Sequence, residues 1–129
     1  MNELEIKNGL APTPGYRYAS LIGDQLFVAG QVPLDTDGQI VGPGDSSLQA
    51  TKCLENLQTL ISVHGFSNED IQKLTVYVVG NTEELSVAWK SVKNYFKQSV
   101  PPATLLGVNS LGYKEQVVEI DATIISMSQ

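Results

Sequence analysis

The chain is predicted to fold as an α+β domain: a mixed sheet with two helices packed on one face. Three observations carry the prediction. Two stretches place apolar residues at helical spacing, β-prone runs lie before, between and after them, and glycine, proline or capping residues punctuate the junctions. The order read along the chain is hairpin, helix, strand, helix, hairpin. With 129 residues the chain is long enough to bury a core without a disulfide or a metal, and it reads as one domain over 1–129.

Residues 1–15, with Pro12, Pro14 and Gly15, read as an irregular lead-in or a short edge strand. Residues 16–22 and 25–29 are apolar and β-prone, and Gly23-Asp24 between them suits a tight reversal, so a hairpin is expected. Gly38, Gly42, Pro43 and Gly44 then mark a loop that ends at Asp45, Ser46 and Ser47, all good N-caps. Ala50, Cys53, Leu54, Leu57, Leu60, Ile61 and His64 recur at i, i+3, i+4, i+7, and Gly65 supplies the stop. That spacing predicts a helix of about five turns with Lys52, Glu55 and Ser62 outside.

Residues 73–79 are rich in Val, Thr and Tyr and read as a strand, after which Asn81 and Glu84 have the spacing of a capping box. Leu85, Ala88, Trp89, Val92 and Phe96 form the apolar stripe of a second helix, with Lys90, Lys93 and Lys97 facing water, and Pro101-Pro102 close it. Two last strands, 103–109 and 116–125, are joined through 111–114 and complete a second hairpin. In the final strand Val118, Ile120, Ala122 and Ile124 form one row, expected under the helices, and Val117, Glu119, Asp121, Thr123 and Ile125 form the other. The same alternation gives an apolar row of Phe27, Ala29, Tyr77, Val79, Ala103 and Leu105 with no third helix to cover it. A partner subunit is the simplest cover, so the chain is expected not to be a monomer.

Composition excludes several function classes. Fourteen acidic against eight basic residues leave a net charge of −6, which repels phosphate backbones, so no nucleic-acid partner is expected. Cys53 is the single cysteine, no apolar run approaches the roughly 20 residues a bilayer demands, and no basic-then-apolar leader opens the chain. A soluble, cytoplasmic protein without membrane contact is the expectation. No His/Cys/Asp/Glu set has metal-ligand spacing, and the glycines at 38, 42 and 44 lack the GK[ST] ending of a phosphate loop. Neither a metal nor a cofactor is expected.

Val28-Ala-Gly-Gln-Val-Pro33, Val100-Pro-Pro-Ala-Thr-Leu-Leu-Gly-Val108 and Val117-Val-Glu-Ile-Asp-Ala-Thr-Ile-Ile125 together resemble the Rid family, the YjgF-like reactive intermediate deaminases. The likeness runs from Pro14-Gly-Tyr16 to Val118-Glu-Ile-Asp-Ala122, and is specific as an ordered set although each piece is weak alone. It implies a chorismate-mutase-like trimer, a homotrimer with a small-molecule ligand held in clefts at the subunit interfaces. In the family's reaction water adds to an enamine or imine carbon and ammonia leaves. An arginine fixes the substrate carboxylate while a glutamate or tyrosine stands near the water. Carried over by position, the pocket tyrosine is Tyr16, the serine before the Gly-Gln pair is Ala29, the glycine is Gly30, the arginine is Ala103 and the late glutamate is Glu119.

Two of those five positions have therefore lost their polar groups. The chain's single arginine, Arg17, adjoins Tyr16 in an extended segment and points the opposite way. Losing a charged clamp worth roughly 1.5–3 kcal/mol weakens a carboxylate ligand about ten- to a hundredfold. The resemblance then implies Tyr16 and Glu119 as proton-handling residues, with Ala29, Gly30, Ala103 and Leu105 around a neutral or more apolar ligand, and Tyr113, from its place in the loop 111–114, is expected to overhang the cleft. Two function classes follow: a deaminase of a reactive enamine or imine without the usual carboxylate clamp, or a trimer that binds a small ligand without turnover. Each candidate also has a plainer role. Glu119 reads equally as an interface carboxylate, Tyr16 and Tyr113 as surface tyrosines, His64 as a helix C-terminal cap and Cys53 as a buried apolar residue.

Overall fold

The hairpin at Gly23-Asp24 joins β1 (Ala19–Ile22) to β2 (Gln25–Val28), paired antiparallel with Ala19 opposite Val28. In this computed structural model, which describes residues 1–127, the remaining elements follow in chain order. They are α2 (Ser46–Val63), β3 (Ile71–Val79), α3 (Thr82–Tyr95), β4 (Ala103–Val108) and β5 (Val118–Ile125), preceded at the N-terminus by α1 (Glu3–Lys7). Both long helices begin where capping chemistry demands. Asp45 accepts a hydrogen bond from the Leu48 amide at 3.0 Å, and Asn81 accepts from Glu83 and Glu84 at 2.9 and 3.4 Å.

The sheet order is β1-β2-β5-β3-β4, with β3 and β4 parallel and all other pairs antiparallel. The expected second hairpin is corrected by this order. β4 pairs with β3 through the α3 crossover, whereas β5 travels past both to enter the sheet between β2 and β3. A central slot buries both edges of β5 in hydrogen bonds and places its apolar row under the helices, a gain that a terminal hairpin would forgo. Val118, Ile120 and Ile124 are each fully buried there. The lead-in expected over 1–15 is corrected too, since residues 3–7 form α1, which packs on α2.

Ala50, Cys53, Leu54, Leu57 and Ile61 of α2, with Ala88 and Val92 of α3, close over Leu74, Val76, Val78 and the β5 row to make the core. Each large apolar side chain buried in this way contributes roughly 1.5–3 kcal/mol. The opposite face of the sheet has no covering element among the described residues, and Phe27 and Leu106 stand 50% and 43% exposed on it. Its membership differs from the sequence reading in β4. Leu74 pairs with Ala103 and Val76 with Leu105 across a parallel ladder, where partners share a face, so Ala103 and Leu105 lie on the helix side. Thr104, Leu106 and Val108 occupy the open face instead. No helix among the described residues is long and apolar enough to cross a membrane.

Candidate functional site

Two buried amides on α2 hold the loops from which the site is built. Gln49 donates to the carbonyls of Gly42 and Glu115 at 3.0 and 2.9 Å and accepts from the amides of Val117 and Val118 at 2.7 and 3.2 Å. Asn56 donates to the carbonyls of Val32 and Leu34 at 2.9 and 3.1 Å. The first amide fixes the entry to β5, the second the segment after β2. Glu115, left-handed at φ 66°, turns the chain so that Gln116 enters the interior.

Glu119 follows on β5, directed to the open face opposite Tyr77. A two-residue bridge draws the β2 exit against it: the Gln31 amide donates to Ile120 at 2.7 Å and the Ile120 amide donates back at 3.1 Å. Gly30 is thereby pressed onto the Glu119 carboxylate so closely that a Cβ at position 30 would lie 2.2 Å from Oε2. Only a glycine fits beside the carboxylate in this position. Gln116 steadies the other oxygen, its Nε2 donating to Glu119 Oε1 at 3.3 Å while its own Oε1 accepts the Tyr113 amide at 3.1 Å.

A cavity of about 560 Å³ opens above the Gly30–Glu119 contact. Tyr16, Tyr113 and Gln116 line it, and Pro14, Ala29 and Val32 supply apolar wall. A smaller cavity of about 210 Å³ shares Gly30 and Glu119 and adds Tyr77, Leu111 and Asp121. Tyr16 is held by its backbone. Its carbonyl accepts from Asn2 Nδ2 at 3.0 Å and from the Thr13 hydroxyl, and Asn2 Oδ1 accepts the Tyr18 amide at 2.9 Å.

Burial raises the Glu119 carboxyl above the ordinary carboxylate range, and the neighbouring charge of Asp121 adds to it against the opposing hydrogen bond from Gln116. Although Tyr16 is 36% exposed, partial loss of water raises its phenol too, with Tyr113 and Glu119 contributing. The site thus sets a carboxyl that holds its proton more tightly than a free one beside a phenol that stays protonated and can donate. Among the described residues no group of three or more His, Cys, Asp or Glu side chains could hold a metal ion.

Of the residues named from sequence, Tyr16, Ala29, Gly30, Tyr113 and Glu119 meet at this cavity. Ala103 and Leu105 do not, for the reason of strand phase given above. Arg17 is exposed and lines a separate groove with Ser20 and Phe27. His64 does not cap α2 through its ring; Nε2 pairs with Glu5 Oε2 at 2.6 Å and pins α1 to α2. Cys53 is fully buried and burial raises its thiol well above the ordinary value. Sequence reasoning missed Gln49 and Gln116. A glutamine inside an apolar stripe is the one local signal for Gln49, and Gln116 has none, because its role depends on the turn at Glu115.

The profile of the endoribonuclease L-PSP family matches residues 6–126. The chain belongs to this family, which takes in the YjgF, RutC and Rid proteins. Among family members it is 30% identical over 116 residues to a RutC family protein of Pyrococcus horikoshii, covering 90% of each chain. It is 27% identical over 111 residues to the 2-iminobutanoate/2-iminopropanoate deaminase of Rattus norvegicus, covering 85% of this chain and 79% of the rat protein. The fold superposes on RidA of an Antarctic Psychrobacter with a TM-score of 0.82 at 20% identity, over 92% and 95% of the two chains. The α+β architecture with a mixed five-stranded sheet is therefore that of the Rid proteins.

Proposed function

We propose that this Rid-family protein is a hydrolytic deaminase of a small reactive enamine or imine, acting in a homotrimer whose clefts are the cavities described above. The observation that carries the reading is the Glu119 carboxyl, held against Gly30 at the base of a cavity with its proton affinity raised. Glu119 takes a proton from the attacking water and returns it to the departing nitrogen, while the Tyr16 hydroxyl orients the water or the developing alcohol. The rat relative's name supports the reaction class. The description of the family as endoribonucleases fits this chain less well. Its net charge of −6 repels RNA, and its one histidine is tied to Glu5 rather than near the cavity.

Assembly is supported by the open sheet face, where Phe27 and Leu106 stand exposed. The resemblance implies a carboxylate-binding arginine at position 103, and this chain has an alanine there, on the helix side of β4. That alanine favours a second reading, a trimer that holds its ligand without turnover. Glu119→Gln separates the two. For the deaminase, ammonia release from an imine generated in situ falls at least a hundredfold while the trimer persists; unchanged release in the variant eliminates Glu119 as the acid–base group.

A further inference from the structure

The two cavities that share Gly30 and Glu119 have an unusual set of ionisable side chains. Their formal charges are two carboxyls, Glu119 and Asp121, and none of their lining residues is lysine, arginine or histidine. Tyr16 and Tyr113 line the larger cavity with Glu119, and Tyr77 lines the smaller with Glu119 and Asp121, so three of the chain's five tyrosines stand at these carboxyls. Arg17, the single arginine, opens onto a different groove.

We propose that this site selects a small organic cation, an ammonium or iminium that carries no carboxylate. Tyrosine rings line both cavities, and aromatic rings attract an alkylated or protonated nitrogen, while a carboxylate shielded from water gains most from a cationic partner. An anion in either cavity meets Glu119, in the smaller one Asp121 as well, and no positive side chain of this chain, so repulsion adds to the loss of its hydration. The charge selection stands on the lining residues alone, whereas its chemistry rests on the deaminase reading. An iminium, its carbon doubly bonded to a protonated nitrogen, takes water at that carbon; the carbon–nitrogen bond then breaks, and the products are the ketone or aldehyde and ammonium. The carbonyl oxygen and two of the ammonium hydrogens come from that water, and Glu119 returns the proton it borrows. Of the two forms of the substrate, the protonated one is the better electrophile, and it is the one that the two carboxyls favour.

Isobutylammonium and isovalerate share one hydrocarbon skeleton and differ in the sign of the charged end. Calorimetric titration of the full-length protein is expected to show isobutylammonium binding at least about tenfold more tightly than isovalerate. Glu119→Gln weakens the cation about tenfold, Asp121→Asn weakens it less, and neither weakens isovalerate. Equal affinities, tighter isovalerate, or cation binding indifferent to both variants overturns the proposal. Ammonia release from imines generated in situ, one from an amine and one from an amino acid, keeps this outcome separate from the reaction. Cation selectivity with no release from either imine sustains the charge class and sinks the deaminase reading. Faster release from the carboxylate-bearing imine does the reverse.

Discussion

A methyl group at position 30 would meet a Glu119 oxygen at 2.2 Å, and what yields is the far end of a side chain rather than backbone. Gly30 has an ordinary φ, so Gly30→Ala is expected to leave stability within about 1 kcal/mol of wild type while displacing the carboxylate and lowering turnover at least tenfold. Gly80→Ala makes the contrast: at φ 139°, with Glu84 Cβ 2.8 Å from the added atom, it costs roughly 1–3 kcal/mol of stability. Chemical denaturation and turnover measured on both variants test the pair. Glu119→Gln carries a pH signature. Because burial raises the folded-state pKa, the protonated carboxyl favours folding, a contribution present at low pH and lost as pH rises through that value. The variant's melting temperature is therefore expected to equal wild type in acid and to match or exceed it at neutral pH. A variant that melts lower at neutral pH shows the carboxylate to be structural.

At the level of elements, α2 does more than cover the sheet. Gln49 makes four hydrogen bonds to backbone from a fully buried position, and the segment it grips leads directly into Glu119. Gln49→Leu fills the space but strands those backbone groups, so a loss of roughly 3 kcal/mol or more in denaturant titration is expected, with reduced turnover. Asn81→Ala, which removes only the cap of α3, is expected to cost about 1 kcal/mol and to leave turnover unchanged. The helix periodicity and both caps are legible in the sequence, because they depend on residues within a turn or two of each other. The phase of β4 is not. In Ala-Thr-Leu-Leu-Gly-Val both alternating rows contain apolar residues, so nothing local says which row faces the helices, and the sequence reading puts Ala103 and Leu105 on the wrong side.

For the whole molecule, the uncovered sheet face predicts association. Sedimentation equilibrium of the wild type at micromolar concentration is expected to give a trimer, and Phe27→Asp, which puts a charge at the exposed apolar site, to give monomers. A wild-type monomer sinks the inter-subunit cleft. Position 103 tests the strand phase. Ala103 lies on the helix side and does not line the cavity, so Ala103→Arg is expected to leave hydrolysis of amino-acid imines unchanged. A gain of about tenfold or more places position 103 at the cleft and overturns that phase.

The types of the elements from β1 onward, the starts of both long helices, the buried row of β5 and the kinship with Rid proteins could be read from the order of residues, since periodicity, caps and ordered motifs are written in near neighbours. The same reading named five of the residues that line the cavity, four of them through that kinship. It could not show that β5 enters between β2 and β3, that Gly30 is pressed onto Glu119, that Gln49 and Gln116 hold the segment carrying that carboxyl, or that the recess contains acids and tyrosines but no cation. Those facts belong to the folded chain and join residues as far as 100 positions apart, as with Gln25 and Ile125. They follow from which strand pairings bury the most apolar surface and leave the fewest backbone groups unpaired, a comparison made over the whole chain at once.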